Sequence, residues 1–455
     1  MKIQALVLVS ALQLVAARAS DSHARRAQRL ANRADADAAA ATTSSSTPPA
    51  AATTSISTPP AAATTSFSTP AATYTTIPPL ESITSGMPTR VEVQPTATYT
   101  AGATAFSGAP PLPTPFVFVQ SEWPVWDHVP PVDSAEVAEW MKELDGINVP
   151  NITTTTDGTC AADPAAAADA ANRGWWTCGG HTRDTDVTAC PNKLDWGVSF
   201  DDGPSPYTQY LLDFLDEAKF KATFFVVGSR VVERPKVLVE EYMKGHEISV
   251  HTWSHRPLTS LTNEQIVAEL GWTRKAIKAV LGVTPTTMRP PFGDIDDRVR
   301  AITLAMGMVP IMWSRTPSGG VFDTNDWRIP AGYVKGPESF ETFKNILSNA
   351  TTMDTGFIVL EHDLYEASVD IGVGYTLPYA IQFQPKLNLI PIGQCMKKPV
   401  TDLYLESNTN KTFPVGLSGT NSTAGKNSAA SAKDVRFAFS STLVAAVAAV
   451  FVGLI

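Results

Sequence analysis

Two rhythms of apolar spacing alternate along the stretch between about Trp123 and Cys395. Trp196-Gly-Val-Ser-Phe200 is a short apolar run that reads as a strand. Tyr210, Leu211, Phe214, Leu215 and Ala218 recur at helical spacing and predict a helix over 207–220. The alternation continues with strand 222–228, helix 231–244 and strand 246–250. Thr262-Asn-Glu-Gln265 has the capping-box pattern and opens a helix running to about 281. Strand 286–289, helix 296–306, strand 309–313, helix 338–348 and strand 357–361 follow. Strands separated by helices imply an α/β fold with a parallel sheet, open or closed into a barrel. In such folds the chemistry gathers at the carboxyl ends of the strands.

On either side the texture changes. From Ala38 to Ser121 the only charged residues are Glu81, Arg90 and Glu92, and a unit repeats as TTSSSTPPAAA at Thr42, TTSISTPPAAA at Thr53 and TTSFSTPAAT at Thr64. Such repeats bury no core and offer hydroxyls to O-glycans, so a sugar-coated stalk is expected over 20–122. A Ser/Thr/Asn-rich spacer is expected over 397–428. Sequons stand at Asn151, Asn349, Asn410 and Asn421. At the start, Lys2, an apolar run over 3–15 and the small residues around Ala19 form the layout of a secretory signal, expected to span 1–19. The uncharged stretch 437–455 follows a polar spacer and the small residues Asn427-Ser428-Ala429-Ala430. That layout is exchanged for a glycosylphosphatidylinositol anchor, with Ser428 or Asn427 as attachment residue and 429–455 removed. Ser440, Ser441 and Thr442 weigh against a tail-anchor helix instead.

Composition narrows the function classes. Charged residues are 17% of the 455, hydrophobic ones 44%, and the net charge is −9. A large core is possible, and an acidic chain has no electrostatic reason to bind nucleic acid. Four cysteines in a secreted chain suggest two disulfides with three possible pairings. The expected pairs are Cys178–Cys190, a local loop, and Cys160–Cys395, a clasp joining the ends of the folded region. A metal site at Cys178, His181 and Cys190 is the lesser alternative, since no partner spacing supports it.

Candidate chemistry sits at the ends of the predicted strands. Ser199-Phe-Asp201-Asp202-Gly-Pro204 puts two carboxylates side by side, one able to hold a metal while the other faces substrate. His251-Thr-Trp-Ser-His255 offers two imidazoles that can converge on one ion. Two His and one Asp leave coordination positions open, as a catalytic site requires. In Arg289-Pro-Pro-Phe-Gly-Asp294 the prolines forbid a helix, and Arg289 presents a fork suited to a carboxylate. Leu360-Glu-His362 places a candidate general acid at the sheet rim, and Asp323-Thr-Asn-Asp326-Trp327 adds a carboxylate that could orient it. His246, like His181, lies inside the same region.

SFDDGP, HTWSH, RPPFGD, DTNDW and LEH, in this order over 199–362, resemble the five motifs of carbohydrate esterase family 4, the polysaccharide deacetylases with NodB homology. With the signal, stalk and tail, the chain is similar to the fungal cell-wall chitin deacetylases, of the mannoprotein kind of basidiomycete yeasts. The resemblance implies a distorted (β/α) barrel over 195–396, with 123–194 as an extension packed on it. It implies Asp201 as general base, Asp202, His251 and His255 as metal ligands, and zinc, or else cobalt, as the ion. It further implies Arg289 as the holder of the base, His362 as general acid and Asp326 as its orienting carboxylate. The Phe292 N–H would bind the oxyanion, and Trp327 and Leu360 would wall the acetyl methyl. Ser199 and Phe292 depart from the family's usual Thr and Tyr. The implied activity is hydrolysis of N-acetyl groups of chitin to chitosan and acetate. The implied setting is a monomer at the cell wall, anchored to the outer face of the plasma membrane, with wall glucan as a further partner. An acetylxylan esterase of the same family and an inert structural mannoprotein are the competing readings; peptidoglycan as substrate fits poorly with a lipid-anchor signal.

Overall fold

The structure, a computed structural model, describes residues 77–87, 92–95 and 97–410. The expected signal peptide, the Ser/Thr/Pro repeats, Asn421 and the attachment residues Asn427 and Ser428 lie outside the described residues. Among the described residues, eight short strands form the core: β1 (Asp195–Gly197), β2 (Ser199–Asp201), β3 (Thr223–Val226), β4 (Glu247–Val250), β5 (Thr287–Met288), β6 (Val309–Pro310), β7 (Phe357–Ile358) and β8 (Asn388–Ile390). They pair in parallel as β2-β3-β4-β5-β6 and as β7-β1-β8. β1 and β2 are one extended segment interrupted at Val198, and this segment joins the two sheets. Irregular contacts close the ring. Asp201 bridges His362, Ser314 N donates to the Ile358 carbonyl at 2.9 Å, and Leu360 N donates to Phe322 at 2.8 Å. The fold is a distorted (β/α) barrel whose irregularity is concentrated between β6 and β7.

Both faces of the strands are covered, and Trp196, Phe200, Phe224, Phe225 and Phe357 are all buried. Helices cover the outside. Asn263–Leu281 starts with the expected reciprocal cap, Thr262 accepting from Gln265 N while the Gln265 side chain accepts from Thr262 N. The helix expected over 231–244 is two, Gly228–Glu233 and Pro235–Met243, because Pro235 disfavours helical backbone at Arg234, which sits at φ −128°, ψ 56°. Glu366–Ile371 and Leu377–Gln382 have no counterpart in the sequence reading. Residues 366–371 are buried all round, so no amphipathic stripe marks that helix.

Two boundaries move. Residues 77–122, given to the stalk by composition, include buried Ile83 and Leu112, and Phe106 packs on Tyr242 and Tyr404. At the other end, Thr286 N donates to Leu403 and Leu405 N to Thr284, so the folded body continues past 396. These segments dock isolated apolar side chains on a finished core and carry no periodicity of their own. The segment after Trp123 also caps the barrel: Trp123 stacks on Trp253 at 6.2 Å, and Trp140 meets Trp272 edge-on. No helix of the described residues is long and apolar enough to cross a membrane.

The disulfides correct the expected pairing: they are Cys160–Cys178 and Cys190–Cys395. Both expected pairs, Cys178–Cys190 and Cys160–Cys395, are therefore wrong, and so is the alternative metal site on Cys178, His181 and Cys190. The short helix Ile392–Cys395 follows β8 back over β1, and Gly197 lets it approach: a Cβ there would lie 3.0 Å from Cys190 Sγ and 3.1 Å from Ile392. Cys160 and Cys178 instead close an Ala-rich loop over Trp175. Residue spacing carries none of this, since it depends on where β8 joins the sheet. The Cys190–Cys395 bridge closes a loop with a sequence separation of 205, against 18 for the other. A Cys190→Ser/Cys395→Ser variant is expected to lose about 2–5 kcal/mol of stability and Cys160→Ser/Cys178→Ser less, read as unfolding midpoints.

Candidate active site

β2 ends on Asp201 and Asp202, and backbone geometry sends the two carboxylates different ways. Asp201 is the last residue in regular pairing, whereas Asp202 has φ 82°. Asp201 is held from behind. Arg289, fully buried at the end of β5, donates to Asp201 Oδ1 at 2.6 Å and to Ser199 Oγ at 3.1 Å, and its guanidinium lies 4.0 Å from the centre of the Phe225 ring. One carboxylate oxygen is thereby fixed, and Oδ2 lies 3.8 Å from His251 Nε2.

Asp202, His251 and His255 converge, their ligand atoms all within 4.8 Å of one another. His255 Nε2 is 3.0 Å and His251 Nε2 3.5 Å from Asp202 Oδ1. The His251 Nδ1 is engaged by the Arg289 carbonyl at 2.7 Å, which turns Nε2 towards the cluster. The loop that carries them is tight, with Thr252 at φ 64° and His255 at φ 55°. Burial would push the Asp202 carboxyl up, but His255, Arg230 and His251 more than offset it and hold it far below the usual carboxylate range. Burial dominates at His251 and lowers its pKa, favouring the neutral ring a metal needs. Asp202 Oδ1 is buried and accepts no hydrogen bond. A buried, ionised, unsatisfied oxygen facing two imidazole nitrogens fits a divalent cation.

His362 stands across the cavity. Its Nδ1 meets Asp326 Oδ1 at 2.8 Å, and its backbone N–H donates to Asp326 Oδ2 at 2.9 Å. Burial works against the charged ring, but Asp326, with help from Asp202 and Asp201, prevails and raises its pKa to about 10. Trp327 and Leu360 line the same cavity, of about 230 Å³, together with Phe292, Asp201, Asp202, His251, His255 and His362. Phe292 takes φ 61° inside the turn Pro291–Gly293, and its ring packs edge-on against His255 at 4.6 Å.

Some residues named from sequence serve elsewhere. His246 is buried, accepts from Ala222 N at 3.1 Å and has its pKa lowered to about 3, chiefly by burial. Asp294 accepts from Trp175 Nε1 and Thr177 Oγ1, both at 2.8 Å, and from Thr259, tying the extension to the barrel. Two supporting residues escaped the sequence reading. Buried Arg230 donates to the Asp202 carbonyl. Glu269, also buried, accepts from Ser254 N at 2.8 Å and from its hydroxyl, clamping the loop between His251 and His255. Glu269 did leave a signal: a carboxylate among Ile266, Leu270 and Thr273, on the apolar stripe of its helix.

A family model described as polysaccharide deacetylase matches residues 188–311. Over 342 residues the chain is 52% identical to chitin deacetylase 1 of Cryptococcus neoformans var. grubii, an alignment spanning 74% of this chain and 72% of that protein. The chain belongs to the polysaccharide deacetylase family. A chitin deacetylase of Amylomyces rouxii is 32% identical over 336 residues, 69% of this chain and 70% of the relative. Chitin deacetylase 2 of Cryptococcus neoformans var. neoformans is 37% identical over 261 residues, 54% of this chain and 53% of the relative. Polysaccharide deacetylases of carbohydrate esterase family 4 are metal-dependent, and the Asp202, His251 and His255 cluster is a possible metal-binding triad. Of the two departures from the family pattern, Ser199 retains the hydroxyl that accepts from Arg289, and Phe292 forgoes one.

Proposed function

We propose that this polysaccharide deacetylase hydrolyses the N-acetyl groups of chitin, releasing acetate and leaving glucosamine units. The observation that carries the reading is the opposed pair around one cavity: Asp201 held on Arg289, and His362 held on Asp326, on either side of the triad. Asp202, His251 and His255 would hold a divalent ion, taken to be zinc from the two-imidazole, one-carboxylate donor set. Bound there, it would supply Lewis-acid polarisation of the acetamide carbonyl and an acidified water.

The chain's own groups do the rest. Asp201 Oδ2 takes the proton of the attacking water as the new C–O bond forms. The Phe292 N–H donates to the carbonyl oxygen as negative charge develops on it. His362, already protonated, gives its Nε2 proton to the leaving nitrogen as the C–N bond breaks, and Asp326 stabilises the imidazolium until then. Trp327 and Leu360 wall the acetyl methyl. Acetic acid, which carries the water's second proton and ionises in solvent, and the amine leave separately; the proton on Asp201 returns to solvent and His362 takes one back from it.

The relatives named as chitin deacetylases favour chitin over acetylated xylan. The setting follows from the sequence: secretion to the cell wall, N-glycans at Asn151, Asn349 and Asn410, all exposed, and at Asn421, and a lipid anchor at Ser428 or Asn427. Acetate release from chitin oligomers and from acetylxylan, measured side by side, tests the substrate. Release from chitin is expected to dominate; release from acetylxylan alone would overturn the assignment.

A further inference from the structure

The segment just after Trp123 is fastened to the loop that carries the two imidazoles. Trp253 Nε1, between His251 and His255, donates to the Val125 carbonyl at 3.1 Å, and Arg256, next to His255, donates to the Asp127 carbonyl at 3.3 Å. Asp127 takes φ 55°, a left-handed conformation uncommon outside glycine. Tethers and turn together set where the half-buried Asp127 carboxylate stands. Its Oδ1 lies 4.0 Å from Arg230 Nη2.

Arg230 is itself firmly placed. The helix Gly228–Glu233 starts against the same loop, Gly228 N donating to the Thr252 carbonyl at 2.9 Å and Ser229 N to that of Trp253 at 3.2 Å. The Arg230 side chain is buried, and its Nη1 donates to the Asp202 carbonyl while standing 3.8 Å from Asp202 Oδ1. An arginine beside a carboxylate commonly closes a forked, two-bond pair with it. Here it does not: Asp202 Oδ1 accepts no hydrogen bond, and the second fork nitrogen is the one nearer Asp127. A fork closed on Asp202 would occupy the oxygen that faces His251 and His255.

Charge points the same way. Among the described residues, only Asp202 and Asp127 bring a carboxylate within 4.0 Å of Arg230. A divalent ion on Asp202 claims that carboxylate, and a buried guanidinium still needs a counter-charge, which Asp127 supplies. Asp127 precedes the segment 188–311 matched by the family model, and neither it nor Arg230 falls in any of the five strand-end motifs.

We propose that Asp127 is a positioning residue of the metal site: it holds the Arg230 guanidinium on the Asp202 carbonyl and off the Asp202 carboxylate, leaving Oδ1 to the ion. It acts through Arg230 and touches neither ion nor substrate. The segment that caps the barrel thereby also sets how tightly the ion is held. The inference rests on Asp202, His251 and His255 holding a divalent cation.

The test uses the full chain stripped of metal, with the zinc Kd read by competition against a coloured chelator. Asp127→Asn keeps the size of the side chain and removes its charge. Zinc affinity is expected to fall about tenfold, the low end for residues that support metal ligands, because Asp127 is partly exposed. Asp127→Glu keeps the charge and is expected to hold the wild-type affinity. In an Arg230→Gln background, Asp127→Asn is expected to change the Kd by less than about twofold, since the group it acts through is gone. A packing role would cost the same with or without Arg230. An unchanged Kd in Asp127→Asn overturns the inference, as does an equal loss in Asp127→Glu or in the Arg230→Gln background. A wild type that binds zinc but releases no acetate overturns the deacetylase reading alone, and the variants' Kd values still decide the role of Asp127. A wild type that binds no zinc overturns both.

Discussion

Replacing His362 with alanine is expected to lower kcat on chitin oligomers by about 10²–10⁴, the range over which a positioned general acid contributes. The amine is a poor leaving group unless protonated, and His362 is held protonated by a carboxylate at 2.8 Å. Asp326→Asn tests the same point through pH. Without a metal the His362 pKa is raised to about 10, so the ring keeps its proton to higher pH than a free imidazole and loses it as pH rises. Asp326 is the foremost group raising it against burial. Removing that charge lets burial pull the pKa down, so the alkaline fall in kcat moves to lower pH. A divalent ion at the triad opposes the proton in both proteins and leaves the direction unchanged. An alkaline limb that stays in place in Asp326→Asn would show that His362 does not act as the acid, or that Asp326 does not hold it.

The Asp201→Asn variant is expected to lose a similar factor in kcat, about 10² or more, because amide nitrogen and oxygen cannot take the water's proton. Here stability moves as well. Arg289 is entirely buried and pairs with Asp201 at 2.6 Å, so neutralising the carboxylate leaves an uncompensated charge in the core. Breaking such a pair costs about 3–5 kcal/mol. The Asn side-chain oxygen can still accept from Arg289, which places Asp201→Asn below Asp201→Ala in that cost. Chemical denaturation separates the two effects. A folded Asp201→Asn protein that still binds metal through Asp202, His251 and His255 but releases no acetate assigns the loss to proton transfer. Near-wild-type kcat in that folded variant would refute Asp201 as the base.

What could be read from sequence follows a physical division. Helix Asn263–Leu281 was legible because its start signal is local, Thr262 and Gln265 satisfying each other's backbone N–H. The strand-end motifs were legible because a parallel barrel gathers its strand ends, so Asp201, His251, Arg289 and His362 meet across long sequence distances once order and spacing are known. Disulfide pairing was not, since Cys190 and Cys395 are joined by the return of β8 to β1, which no local pattern announces. The same holds for 77–122: Phe106 and Leu112 are anchored by Tyr242, Tyr404 and the core rather than by neighbours at regular spacing. Arg230 was invisible because it comes from a separate helix and meets Asp202 only through the fold, donating to its carbonyl and placing its charge 3.8 Å from the carboxylate. Glu269 was visible in principle, as a charge on an apolar stripe.

The most direct measurement is acetate release from chitin oligomers by the purified protein, before chelation, after chelation and after zinc is restored. The account predicts activity that chelation abolishes and zinc recovers, with His251→Ala failing to recover. Full activity in the chelated, metal-free protein would contradict it, because Asp202, His251 and His255 would then be an ornament to the chemistry rather than its centre.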